Sequence, residues 1–370
     1  MTALLPSVFG SNASPTGSIP NSAMHFSVAP MLDWTDPHCR HFHRQLSKHA
    51  WLYSEMVTTG ALLYGKNLPR FLQQDPTDHP VVLQLGGSDP HALAQCAALA
   101  AEWGYCEVNL NVGCPSDRVQ NNQIGACLMA HPSIVAEAVA AMKTATHLPI
   151  TVKCRLGIDH QNEGETLVEF VSALDHAKVD GIILHARKAW LQGISPKENR
   201  EIPPLRYELV HQIKAAFAHL PIALNGGIKQ LEEGVSHLHP STDLPALNGF
   251  MMGRAIYENP FILSKVDSQL YGMHPASVCR FTVVEQLFPY IEAHLAQGGK
   301  LMQVCRHMLG LFYGMPGGRL WRRHLSEKGF GEGAGLSVLR EAMQLVRNEQ
   351  DRARESSQPW FEPHTGETTP

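Results

Sequence analysis

The chain has 370 residues, 44% hydrophobic and 17% charged, an ordinary globular composition that excludes wholesale disorder. Its 30 Lys+Arg against 34 Asp+Glu give a formal charge of -4, which excludes a strongly basic coat for nucleic acid but leaves room for a local basic face. No run approaches the ~18 apolar residues of a membrane-spanning helix.

The first 24 residues carry no charge and are rich in Ser, Pro, Gly and Asn. They read as a disordered tail over 1–24, and Met24, directly before the first strand-like run, is an alternative start. Eight short β-rich apolar runs then follow in order: Phe26–Met31, Trp51–Met56, Val81–Gly87, Cys106–Cys114, Ile150–Gly157, Gly181–Arg187, Ile222–Gly227 and Gly249–Arg254. Helical patterns separate most of them. After the third run Asp89 suits an N-cap, Pro90 a first helical position and Gly104 a C-terminal cap. After the fourth, Ser133 is placed to cap a helix carrying Ile134, Val135, Ala138, Val139 and Met142. Eight strand–helix alternations without a dinucleotide fingerprint predict a closed (β/α)8 TIM barrel over 25–262, rather than an open doubly wound sheet. Beyond it the β signal stops. Residues 282–297 and 336–349 have helical periodicity, so a smaller all-helical domain is expected at 263–350. That stretch holds ten basic against seven acidic residues, unlike the chain as a whole. Residues 351–370 read as a second disordered tail.

Two apparent motifs are set aside. Gly60 to Asn67 nearly matches a phosphate-binding P-loop, but Asn67 stands where a Mg²⁺-binding hydroxyl belongs. His38, Cys39, His41 and His43 resemble metal ligands, yet no second cluster supplies matched spacing, and no metal is expected. Eight cysteines without a CxxC pair read as reduced thiols of a cytoplasmic protein.

Barrel chemistry sits at the carboxyl ends of the strands. There the sequence places Pro30 and Met31, then Gln84, then Asn109 to Pro115 with Cys114. Lys153 and Arg155, His185 to Lys188, Asn225-Gly226-Gly227 and Gly253-Arg254 follow. Gly-Gly after the seventh strand and Gly-Arg after the eighth let backbone N–H groups approach a phosphate. Lys153 would set a cation beside an electron-rich ring. Together they suggest a phosphate-bearing, anion-stabilised cofactor such as FMN.

The strings APMLDWTD (29–36), SEMVTTGA (54–61), LQLGGSDP (83–90), NLNVGCPSDRVQ (109–120), GACLM (125–129), VKCRLGID (152–159), LHARKAWLQGISPKENREIPPL (184–205) and NGGI (225–228) resemble the tRNA-dihydrouridine synthase family. They are most similar to its A subfamily, which acts in the D-loop, and the resemblance covers about 25–350. It implies FMN held by Pro30, Met31, Gln84, Lys153, His185, Asn225, Gly226, Gly227, Gly253 and Arg254. Cys114 matches the family's proton donor. Asn111, Lys197, Arg200, Arg319 and Arg322 match positions that contact tRNA. NADPH, or less efficiently NADH, is the implied electron donor, tRNA the partner, and a monomer without membrane association is expected. An FMN barrel acting on a free pyrimidine, and a non-catalytic flavin-containing tRNA-binding protein, are the alternatives.

Overall fold

The computed structural model describes residues 25–116, 123–241, 243–274 and 277–357. The tail expected at 1–24 lies outside the described residues. The chain forms two compact units, the first ending at Val278 and the second starting at Cys279.

In the first unit eight parallel strands close on themselves: β1 (Phe26–Val28), β2 (Trp51–Thr58), β3 (Val81–Gly86), β4 (Glu107–Val112), β5 (Ile150–Cys154), β6 (Gly181–His185), β7 (Ile222–Asn225) and β8 (Gly249–Met252). Each pairs with its neighbour in sequence, and β1 pairs with β8 through Phe26↔Phe250 and Val28↔Met252. This is the expected barrel. All eight apolar runs contain a strand, but seven strands stop short of the run's end. The residues left over, such as Gly113-Cys114 and Gly226-Gly227, leave the ladder and turn across the mouth.

Among the described residues the α-helices of this unit are α1 (Pro37–Leu46), α2 (Thr59–Leu63), α3 (Pro69–Leu72), α4 (Pro90–Glu102), α5 (Pro132–Ala145), α6 (Glu163–His176), α7 (Tyr207–Ala216), α8 (Leu231–Leu238), α9 (Arg254–Glu258) and α10 (Val266–Leu270). Helix α4 follows its sequence signals. Asp89 accepts a hydrogen bond from the Ala92 N–H at 2.7 Å, and Gly104 takes a left-handed φ of 79°. Its buried face is Leu93, Cys96, Ala97 and Ala100, the i, i+3, i+4, i+7 stripe. Full burial of a side chain such as Leu93 contributes about 1.5–3 kcal/mol. Ser133 does not cap α5 as expected. Pro132, which needs no N–H partner, takes the first helical position, so the cap falls on His131. Gly60 to Asn67 forms α2 and a turn, in which a Cβ at Gly65 would strike the Ala61 carbonyl oxygen.

The barrel interior joins an apolar layer (Trp51, Val82, Ile183, Ala223, Met251) to a buried polar chain. Glu107 Oε1 accepts from Thr151 Oγ1 at 2.6 Å and from Tyr53 Oη at 3.4 Å. Thr151 Oγ1 accepts from Asn109 Nδ2 at 2.9 Å, and Asn109 Oδ1 from Gln84 Nε2 at 2.8 Å. Buried polar groups persist when partnered in this way. Burial and the neighbouring Glu107 push the Tyr53 phenol well above its usual range, so it remains a donor.

The first unit extends past 262 because α10 returns to the barrel. Asp267 accepts from Ser47 Oγ at 2.5 Å, Lys48 N at 2.7 Å and His49 N at 3.2 Å. The second unit contains α11 (Arg280–Gln286), α12 (Phe288–Ala296), α13 (Leu301–Cys305), α14 (Gly318–Lys328) and α15 (Leu336–Ser357). The helix expected over 282–297 is therefore two, parted at Leu287 before Pro289. Helix α15 continues into the stretch expected as a tail, with Glu349–Arg352 and Asp351–Arg354 ion pairs at i, i+3. This unit packs on Trp321, whose Nε1 donates to the Met308 carbonyl at 2.9 Å and whose ring lies 4.9 Å from Phe312.

Candidate active site

The carboxyl ends of adjacent strands β3 to β7 bring Gln84, Asn111, Lys153, His185 and Asn225 around one mouth. Asn111 registers with Lys153, and His185 with Asn225. The polar chain of the interior surfaces here. Gln84 Oε1 accepts from Asn111 Nδ2 at 3.0 Å, and Asn111 Oδ1 accepts both the Gly113 N–H at 3.1 Å and the Cys114 N–H at 3.0 Å. Asn111 thus folds the chain back at the end of β4 and sets the half-buried Cys114 over the mouth. The Cys114 carbonyl accepts from Ala126 N at 2.9 Å, closing the loop from its far side. Cys127, in the same turn, donates its thiol to the Ile124 carbonyl at 3.2 Å, and burial raises its pKa.

Lys153 has no hydrogen-bond or ion-pair partner among the described residues. Burial of its ammonium, aided by the charge of Arg155, lowers its pKa to about 8. Arg155 is buried and links two segments of the mouth. It donates from Nε to the Gly113 carbonyl at 3.2 Å and from Nη1 to the Asn199 carbonyl at 2.9 Å. Burial drives the His185 pKa well below its usual value, and the charges of Arg155, Lys153, Arg187 and Arg200 add to the effect. His185 is therefore neutral at pH 7.

Gly226 and Gly227 have φ of 105° and 77°, which side-chain-bearing residues rarely adopt. A Cβ on Gly226 would meet His185 Cδ2 at 2.5 Å, and one on Gly227 would meet Tyr207 Oη at 2.6 Å and the Leu205 side chain. The backbone N–H groups of Gly226, Gly227 and Ile228 have no acceptor among the described residues, whereas those of Lys229 and Gln230 are taken by Glu233. Consecutive free N–H groups at a glycine turn form a cradle for an anion. Near it Arg187 Nε is buried without a partner, and Arg254 reaches Glu201 at 2.9 Å. Met31 and Ala29 line the space against Gly253, 3.6 Å and 3.4 Å from where its Cβ would be. Asn225 Nδ2 donates to the Met251 carbonyl at 2.9 Å, tying β7 to β8. This donor set fits a phosphate-bearing ring compound: a cradle for the phosphate, a neutral imidazole, an unpaired ammonium for the ring and a thiol across the mouth.

Lys197 and Arg200 are exposed on the segment after β6, where Asn199 anchors the turn by accepting from Trp190 N at 2.7 Å. In the second unit Trp321 and Leu325 bury one face of α14, and Arg319, Arg322 and Arg323 stand exposed on the other. These three have no acidic partner among the described residues, unlike Arg347, which pairs with Glu285 at 3.1 Å. Arg155 and Arg187 stand at strand ends in the sequence with nothing there to give them a role, and no sequence signal points to Tyr207.

Residues 27–347 match the family described as dihydrouridine synthase (Dus). The chain belongs to the dihydrouridine synthase family. Among similar dihydrouridine synthases is a tRNA-dihydrouridine(20/20a) synthase of Vibrio parahaemolyticus, 54% identical over 87% of this chain and 97% of the relative. Proteins of that name from Yersinia pestis and Escherichia coli K12 are 54% and 53% identical, each over 87% of this chain and 91% of the relative. The family match spans both compact units. No helix among the described residues is long and apolar enough to cross a membrane.

Proposed function

We propose that the protein reduces the C5=C6 bond of uridines 20 and 20a in the tRNA D-loop to 5,6-dihydrouridine, with FMN as cofactor and NADPH as electron donor, NADH serving less well. The observation that carries this reading is the pairing, across one mouth, of the asparagine-held Cys114 with an anion cradle and an unpaired lysine. The names of the relatives support the substrate. FMN, when bound and reduced, supplies the hydride that C6 receives.

The protein's own residues do the rest. The peptide N–H groups of Gly226, Gly227 and Ile228, with Arg187 and Arg254, hold the phosphate. Lys153 lies by the ring and steadies negative charge there. Pro30, Met31, Gln84, His185, Asn225 and Gly253 bound the remaining surface. Cys114, kept in place by Asn111, gives its proton to C5. Lys197 and Arg200 in one unit, and Arg319 and Arg322 in the other, meet phosphates of the RNA. Phosphate contacts of this kind set which nucleotide is presented, and the target base must leave its stack to reach the mouth. The test is incubation of unmodified tRNA with protein, FMN and NADPH, followed by mass spectrometry of a nuclease digest. Dihydrouridine at positions 20 and 20a is the expected product. Its absence with a fully flavin-loaded protein would end this reading.

A further inference from the structure

The Gly226-Gly227 turn is held from outside the barrel by a side chain that none of the foregoing roles uses. Tyr207, at the start of α7, donates its hydroxyl proton to the Gly226 carbonyl at 2.7 Å. In a trans peptide the carbonyl and the following N–H lie in one plane and point opposite ways. Fixing the Gly226 carbonyl on Tyr207 therefore fixes the direction of the Gly227 N–H, one of the three free donors of the cradle.

The need for such a brace follows from the backbone. Two consecutive glycines at positive φ give the turn its shape but also leave it more freedom than any other dipeptide. Left alone, the peptide between them would turn over, and the cradle would lose its central donor. Tyr207 is itself well fixed. Its ring meets that of His237 edge-on at 4.8 Å between centroids, and His237 Nδ1 lies 3.0 Å from His211 Nε2. The His211 Nδ1 contacts the Pro245 carbonyl at 2.9 Å. Burial and the nearby Glu233 raise the Tyr207 pKa, so the hydroxyl keeps its proton through the neutral range.

We propose that Tyr207 is a positioning residue for the cofactor phosphate: its hydroxyl locks the Gly226–Gly227 peptide with the N–H turned to the cradle. This rests on the reading of the mouth as an FMN site. Riboflavin, which shares the ring and lacks the phosphate, separates the two questions. The experiment measures the affinity of the flavin-free protein for FMN and for riboflavin by fluorescence quenching, in wild type, Tyr207→Phe and His237→Phe. Wild type is expected to prefer FMN; equal affinities would overturn the FMN reading itself. Tyr207→Phe keeps the ring and loses only the hydroxyl. It is expected to weaken FMN about five- to tenfold, the net worth of one hydrogen bond, and to leave riboflavin unchanged. His237→Phe alters the ring beneath Tyr207 but not its hydroxyl, and is expected to keep the preference. An unchanged FMN preference in Tyr207→Phe, or an equal loss for both flavins, would overturn the proposal. So would the same collapse in His237→Phe, or a Tyr207→Phe protein that no longer folds, since Tyr207 would then serve packing alone.

Discussion

At the residue, the proposed chemistry rests on two side chains. Cys114→Ala is expected to retain flavin and its reduction by NADPH, since neither involves the thiol. Reoxidation by tRNA should slow by ~10²–10⁴, the usual share of a general acid. Rapid mixing of reduced protein with tRNA measures it, and an equal loss in the NADPH half-reaction would point to damage elsewhere. Lys153 makes the second prediction. With a pKa of about 8 before ligand binds, it gains proton affinity when an anion lies beside it. Binding of reduced flavin, whose ring carries the negative charge, should therefore take up protons near pH 8, and its affinity should fall as pH rises through that value. Calorimetry in buffers of different ionisation enthalpy reads this, and Lys153→Met should abolish the uptake. The same shift has a folding counterpart. The folded pKa lies below the unfolded 10.5, so the cost of the buried charge is fully present below pH 8. It is relieved between pH 8 and 10.5, where stability should rise relative to Lys153→Met. Lys153 stood out in the sequence because a lysine at a strand end has few structural uses, whereas the role expected of Cys114 came from the resemblance of its motif. Tyr207 was not legible: it occupies the first turn of a helix, and only the folded chain brings it to Gly226.

At the level of elements, the strand runs were readable from composition, but their ends were not. Apolar glycine-rich residues such as Gly226 and Gly227 look like strand until the closed ladder excludes them. Helix ends followed local chemistry where a side-chain cap was available, as at Asp89, and departed from it where Pro132 took precedence over Ser133. Helix α14 illustrates what an element adds to a motif. Burying Trp321 and Leu325 obliges Arg319 and Arg322, three residues apart, to share the opposite, exposed face. Replacing both by Ala should weaken tRNA binding and flatten its salt dependence by roughly one charge per lost phosphate contact. Flavin content should not change. Parallel salt slopes for variant and wild type would refute the role of this face.

For the molecule as a whole, the barrel was predictable from eight repeats, whereas the edge of the first unit was not. Composition after residue 262 is helical, yet α10 belongs with the barrel because Asp267 satisfies three donors at residues 47–49. Removing that carboxylate leaves the half-buried His49 N–H and the Ser47 hydroxyl, besides the exposed Lys48 N–H, without their acceptor. Asp267→Ala is therefore expected to destabilise the first unit by about 1–3 kcal/mol, read as a lower midpoint in urea with unchanged slope. A midpoint equal to wild type would show that α10 is dispensable to the barrel.

The segment after β6 carries Lys197 and Arg200 on its outer turn and delivers Leu205 and Tyr207 to the glycine turn. On the proposed reading one stretch of chain serves two ligands, and any coupling between their affinities must be reciprocal. Whatever factor tRNA adds to the retention of FMN, FMN must add to the retention of tRNA. Where that factor exceeds one, a cell short of flavin would hold its D-loop substrate less firmly, and a flavin-loaded protein would lose cofactor most readily between substrates. Flavin dissociation rates with and without unmodified tRNA, set beside tRNA affinities with and without flavin, would give the same number twice.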